Sequence, residues 1–246
     1  MNEYDDTTYG NRISEVYDQF YADFEPESIE LLAELAGQGH ALELGIGTGR
    51  VALPLRKKGV EIYGIDASEA MVSKLRTKEL GNEIDVLIGS FSRFELDRSF
   101  SLIYVIFNTF FALLAQEEQV QCFQTVAGHL AAGGVFLLET FVPDVNRFVD
   151  NQTFRTIHVD DDLVRLEATQ HDPVSQQVIS QHVLLSEDGS RMYPIKIRYA
   201  WPSELDLMAK IAGLSLQHRW SSWTKAEFTA ESKKHISVYG RSAGAM

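Results

Sequence analysis

The chain has one cysteine, Cys122, which excludes an intrachain disulfide. That scarcity fits a reducing cytoplasm, with Cys122 expected to pack inside the helical-looking stretch EQVQCFQTVAGHL. Basic residues are also few: 22 Lys and Arg against 35 Asp and Glu leave a net charge of −13. Phosphate backbones are held by clustered cations, so this balance argues against a nucleic-acid partner, and against an anionic membrane surface for the same reason. No apolar run approaches the ~20 residues of a membrane span. The opening MNEYDDTTYG is too polar and acidic for a signal peptide. The seven histidines show no close pairing with Cys, Asp or Glu at ligand spacing, so no metal site is expected. Internal repeats and low-complexity tracts are lacking too.

What is present is ample apolar material. Of the 246 residues, 45% are hydrophobic and 11% aromatic, enough for one large domain or a domain with an insertion. Residues 1–36 read as helical, with aromatics at Tyr9, Tyr17, Phe20, Tyr21 and Phe24. From there short apolar strands alternate with helices: HALELG, then GRVALPLRKKG; VEIYGID, then SEAMVSKLRTKELG; IDVLIG and FSLIYVIFN; QEEQVQCFQTVAGHLAAGG, then VFLLETFV. Ser68 is a helix-opening residue and Gly81 a helix stop. Continuously apolar strands between helices predict a parallel sheet covered on both faces. After Pro143 the rhythm changes to four extended stretches joined by DPVSQ and EDGS, which predicts an antiparallel sheet inserted over residues 146–199. Helix returns at WPSELDLMAKIAG, and LSLQHRWSSW and KHISVYGRS close the chain as extended pieces.

The stretch LELGIGTGR carries the chemistry. Glycines 45, 47 and 49 follow a strand and precede a helix, a turn that allows close backbone approach and offers N–H groups to an anion. A dinucleotide fingerprint would place its third glycine at position 50, where Arg50 stands, and the Gly-Lys-Ser/Thr of a phosphate loop is missing. Asp66 ends the second strand, where an acid accepts both hydroxyls of a ribose. Nicotinamide enzymes share that spacing, so Asp66 alone does not decide.

Taken together, ELGIGTG, GIDASEAMV, AAGGVFLLE and the closing extended pair resemble the class I S-adenosylmethionine-dependent methyltransferases. The resemblance covers about residues 35–142 and 200–242. It implies a Rossmann-like, doubly wound α/β fold: seven strands, mostly parallel, with an antiparallel last strand, plus the inserted antiparallel sheet. It also implies S-adenosylmethionine as cofactor. Residues 37–145 and 200–246 would form the cofactor-binding core, and 1–36 a helical lid. Glu43 would order the first turn and meet the ammonium side, Gly45 and Gly47 would approach the methionyl and ribose portions, and Asp66 would take the ribose hydroxyls. Ala67 and Met71 would pack on the adenine. Many members carry an Asp after the third strand for the adenine amino group; here Ser90 stands there, leaving recognition to Ser90 and the backbone of Phe91. Phe107 would floor the cofactor beneath its sulfur. EVYDQFY is similar to a segment of small-molecule methyltransferases, which brings Tyr17 and Tyr21 toward the methionyl end and Tyr9 with Arg12 toward its carboxylate.

Methyl transfer by in-line displacement to an N or O atom of a small-molecule acceptor follows as the expected reaction. Nucleic acid and membrane are not expected as partners, and the inserted sheet serves as lid, acceptor wall or homodimer surface. The acceptor pocket draws on Asn108, Thr109, Glu139, His182, Arg198, Tyr199, Trp201, Trp223 and His235. Asn108 leads, as a polar residue ending an apolar strand at the sheet's carboxyl edge, and Asn108, Tyr21, His182 and His235 form the catalytic set. Two other readings stay open from sequence: a nicotinamide-dependent oxidoreductase with a variant glycine loop, and a catalytically silent cofactor-binding scaffold.

Overall fold

The computed structural model describes residues 4–21 and 24–241. The segment over residues 1–36, expected to be helical, carries three short helices: α1 (Thr8–Ile13), α2 (Tyr17–Phe20) and α3 (Pro26–Ala36). Positions 1–3 and 22–23 of that expectation lie outside the described residues. Tyr9, Tyr17, Phe20 and Tyr21 gather with Ile13, Met71 and Tyr193 in one cluster, which a straight helix would not allow. Gly10 lets α1 sit against Ser68, since a Cβ there would lie 2.5 Å from the Ser68 Cβ.

The core alternates as the apolar pattern predicts. Strand β1 (His40–Leu44) leads through the glycine turn to α4 (Ala52–Lys57), and β2 (Glu61–Asp66) leads to α5 (Glu69–Arg76). Ser68 caps α5, its side chain accepting from the Met71 N–H. Strands β3 (Asp85–Ile88) and β4 (Phe100–Val105) follow, then α6 (Gln116–His129) and β5 (Leu130–Phe141). One boundary is corrected: α6 stops at His129, before the glycine pair, and β5 already begins at Leu130. Residues 131–134 form an irregularity in the β4–β5 ladder, where a Cβ on Gly134 would lie 2.6 Å from the Phe100 carbonyl oxygen.

The four extended stretches become β6 (Gln152–Val159), β7 (Leu163–Asp172), β8 (Gln177–Ser186) and β9 (Gly189–Arg198), a separate antiparallel sheet in the order β6-β7-β8-β9. The chain then returns through α7 (Pro202–Ile211), β10 (Leu214–Trp220) and β11 (Lys234–Arg241). The main sheet has seven strands in the order β10-β11-β5-β4-β1-β2-β3, parallel except that β11 runs antiparallel between β5 and β10. Alternate residues of β4 feed two cores: Ile103 and Val105 join the Phe123 and Met208 side, while Leu102 and Tyr104 join the Leu32 and Leu55 side. Among the described residues no helix is long and apolar enough to cross a membrane. The order reverses beside β1, whose neighbours are β2 and β4, and a ligand crevice belongs at the carboxyl ends of these strands.

Candidate active site

The crevice is built from the glycine turn outward. Gly45 and Ile46 both donate backbone N–H to the Ile65 carbonyl, at 2.8 and 3.0 Å, which fastens the turn to β2. Gly45 has φ +74°, and a Cβ there would lie 2.4 Å from Thr109 Cγ2, so the position requires glycine. The turn then closes on the acid at the end of β2: Gly47 N–H donates to Asp66 Oδ2 at 2.7 Å and Ser68 N–H to Oδ1 at 2.8 Å. Burial outweighs these two bonds, and the Asp66 carboxyl is raised above its ordinary range. Glu43, at the end of β1, is 5% exposed. Burial raises its carboxyl to about 8, opposed by the Tyr104 hydroxyl, which donates to Oε2 at 2.9 Å.

The N-terminal segment covers the turn. Thr48 donates to Asp18 Oδ1 at 2.6 Å, and Lys78 pairs with Asp18 at 2.7 Å while donating to the Thr48 carbonyl at 2.8 Å. The Arg50 guanidinium lies 3.6 Å from the centre of the Phe107 ring and donates to the Tyr21 carbonyl at 2.9 Å. Desolvation raises the phenols of Tyr9 and Tyr17, so both stay protonated near neutrality.

Two adjoining cavities result. The first, of about 980 Å³ including its part open to solvent, brings together Tyr9, Tyr17, Glu43, Gly45, Gly47, Asp66, Ala67, Met71, Ser90, Phe91 and Phe107. The second, of about 1070 Å³ on the same measure, is lined by Tyr21, Asn108, Phe141, Ile195, Lys196 and Ile197, and shares Tyr4, Tyr9, Tyr17, Arg50, Phe107 and Thr109 with the first. Between them stands a strained corner. Phe107 and Asn108 both take left-handed backbone angles, φ +56° and +63°, unusual outside glycine. Glu139 holds this corner: Oε2 accepts the Phe107 N–H at 3.1 Å and its carbonyl accepts the Asn108 N–H at 3.2 Å. Asn108 Oδ1 in turn accepts the Phe141 N–H at 2.6 Å.

Several expected site residues stand elsewhere. Arg12 is exposed near the end of α1, outside the lining of either cavity. His235 is corrected to a structural residue: fully buried in β11, it bonds Thr140 at 3.0 Å and Ser237 at 2.8 Å, and burial pushes it down to about 3. His182 is corrected likewise, because β8 places it opposite Glu167, 3.3 Å away and outside both linings. Although burial opposes it, hydrogen bonds from His182 and Arg155 bring the Glu167 carboxyl down to about 2. Arg198 is paired with Glu204 at 2.8 Å, Tyr199 with His171 at 3.1 Å, and Trp223 is a core residue. Tyr4, Asp6, Lys196 and Phe141 line the cavities without having been singled out from sequence. Only the aromatic density of the N-terminal segment hinted at Tyr4, and nothing local marked Lys196, which arrives on the second sheet.

Comparison with known proteins agrees with this geometry. A family model described as a methyltransferase domain matches residues 41–134. The solved CcbJ methyltransferase from Streptomyces caelestis is 41% identical, with a TM-score of 0.92, over 98% of this chain and 100% of that one. The cypemycin N-terminal methyltransferase of a Streptomyces species is 27% identical over 201 residues, 81% of this chain and 82% of the relative. The structure of S-adenosylmethionine-bound CalS10, an amino pentose methyltransferase from Micromonospora echinaspora, shares the fold: TM-score 0.65, 17% identity, 97% of this chain and 98% of that one. The protein belongs to the class I S-adenosylmethionine-dependent methyltransferases.

Proposed function

We propose that the chain transfers the methyl group of S-adenosylmethionine to a nitrogen of a small-molecule acceptor seated in the second cavity. The observation that carries this reading is the shared wall of Tyr9, Tyr17, Arg50 and Phe107, which lets two ligands meet across one boundary. The residues of the first cavity suit the cofactor. Buried Glu43 presents its carboxyl to the cleft, where the nearby Arg50 charge and the Tyr104 hydroxyl act on it, and its acidity is a match for an ammonium group. Asp66 suits the ribose hydroxyls, Met71 and Phe91 offer apolar surface to a purine, and the glycine turn leaves room for the backbone to approach. When bound, the cofactor would supply a sulfonium methyl that a nucleophile attacks in line, with S-adenosylhomocysteine as the leaving group.

The chain's part is to hold and to shield. Effective molarity from alignment supplies on the order of 7–11 kcal/mol of such a reaction. Tyr9, Tyr17, Tyr21 and Phe107 surround the boundary with aromatic surface that would shield seated ligands, and Arg50 ties Tyr21 and Phe107 together. Tyr9 and Tyr17, with raised phenol pKa values, offer hydrogen bonds rather than a base. An amine acceptor arriving neutral needs none. Nitrogen is favoured over oxygen because the cypemycin relative is named for an N-terminal methylation. A nucleic-acid acceptor is disfavoured by the net charge of −13.

The test is a panel of secondary amines, amino sugars, short peptides and matched alcohols, incubated with the protein and the cofactor, with products read by mass. Methylated amines and unmodified alcohols support the reading; methylated alcohols alone would overturn it.

A further inference from the structure

We propose that Asp6, on the N-terminal segment, is a cofactor-binding residue whose carboxylate accepts from the adenine amino group in place of the acid missing at position 90. Ser90 lines the cleft, but its hydroxyl is turned to Ser92, 3.1 Å away, and also receives the Ser92 N–H at 3.4 Å. Asp6 lines the same cleft together with Asp66, Ala67 and Ser68. The neighbouring Asp5 is occupied: its Oδ1 accepts from Thr7 N–H, Thr7 Oγ1 and Thr8 Oγ1, at 3.0, 2.8 and 2.7 Å. Among the described residues Asp6 has no such hydrogen bond and no ion pair. It stands four residues before Gly10, whose close contact with Ser68 fixes where α1 meets α5. Asn11 strengthens that seat, accepting from Ser68 Oγ at 2.8 Å. The segment therefore carries Asp6 to the nucleoside end of the cleft by a defined contact.

Charge then narrows the partner. Asp6 lies near enough to Asp66 for its charge to raise that carboxyl, after the larger effect of burial. Two carboxylates facing one space repel unless a ligand brings donor hydrogens between them, and a phosphate would worsen the repulsion. The adenosyl part of the cofactor, whose 5′ carbon carries sulfur, has three such groups: the two ribose hydroxyls, which suit Asp66, and the exocyclic amine. The amine is left for Asp6.

The inference rests on the proposed placement of the cofactor, and the experiment separates the two. S-adenosylhomocysteine and S-inosylhomocysteine, in which the amine is a carbonyl oxygen, are titrated calorimetrically into wild type, Asp6→Ala, Asp6→Asn and Asp66→Ala. Removing a charged acceptor should weaken S-adenosylhomocysteine by about tenfold in Asp6→Ala and less in Asp6→Asn. S-Inosylhomocysteine should bind Asp6→Ala as well as wild type or better, so the preference for the amine collapses. Equal loss for both ligands, or no loss for either, overturns the role of Asp6. If Asp66→Ala weakens both while Asp6→Ala changes nothing, the placement stands and Asp6 falls; if neither variant weakens binding, the placement falls as well.

Discussion

At the scale of single residues, Glu43 makes the most specific forecast. Its carboxyl is raised to about 8 by burial, so in the free protein it is largely protonated at neutrality. A cationic ligand in the same cleft favours the charged form and lowers that value. Binding of S-adenosylhomocysteine at neutral pH should therefore release a proton, and affinity should rise with pH until about 8 and level off above it. Calorimetry in two buffers of different ionisation enthalpy reads the release directly. It should vanish in Glu43→Gln, and buffer-independent heats in wild type would refute the assignment. Asp66→Ala should cost more than ~1 kcal/mol of binding, since it leaves the ribose hydroxyls without an acceptor.

At the scale of elements, the glycine turn and the helices behind it are limited by contact as well as by backbone angle. Gly49 has φ +78°, and a Cβ would lie 2.4 Å from Leu75 Cδ1 in α5. Gly37 has φ +57° but nothing within 4 Å of its Cβ position. Gly37→Ala, at φ +57° and ψ −125°, should thus cost backbone strain alone, ~1–3 kcal/mol. Gly49→Ala adds a clash between the turn and α5 and should cost more than ~3 kcal/mol, a fall in Tm beyond roughly 6 °C. Equal melting shifts would mean that α5 yields freely. The covering segment is latched by Asp18 to Thr48 and Lys78, two short polar contacts that add to the apolar area, and Lys78 itself reaches the Thr48 carbonyl of the turn.

At the scale of the whole molecule, Cys122 reports on global opening. It sits on α6, fully buried in the core that α6 forms with the main sheet and α7, and burial raises its thiol pKa. Alkylation should be negligible in the native state and should follow the population of unfolded chain. A ligand present at a hundred times its Kd stabilises by ~2.7 kcal/mol, so S-adenosylhomocysteine should slow the alkylation about a hundredfold. Rapid reaction of the native protein, or indifference to the ligand, would show local access to Cys122 instead. The same ligand dependence ties the two sheets together, because the residues lining the boundary come from the N-terminal segment, the main sheet and β9.

What the sequence determined by itself was local. The glycine turn, the acid ending β2 and the cap at Ser68 are features of a few adjacent residues, written in backbone angles and capping chemistry that neighbours suffice to specify. The alternation of apolar strands and helices was legible for the same reason, as was the change of rhythm after Pro143. Only the tertiary structure decided which side chains share a cavity. Tyr4 meets Lys196 across 192 residues of chain, its hydroxyl accepting the Lys196 backbone N–H at 3.2 Å, and no pattern within either segment announces the other. His182 and His235 looked like bases as letters, yet strand pairing turned one toward Glu167 and sealed the other between Thr140 and Ser237. The N-terminal aromatics, spread over three short helices, meet Tyr193 and Met71 in one cluster that no local pattern announces. Short-range chemistry sets turns and periods, whereas burial and charge environment depend on surfaces brought together from distant parts of the chain.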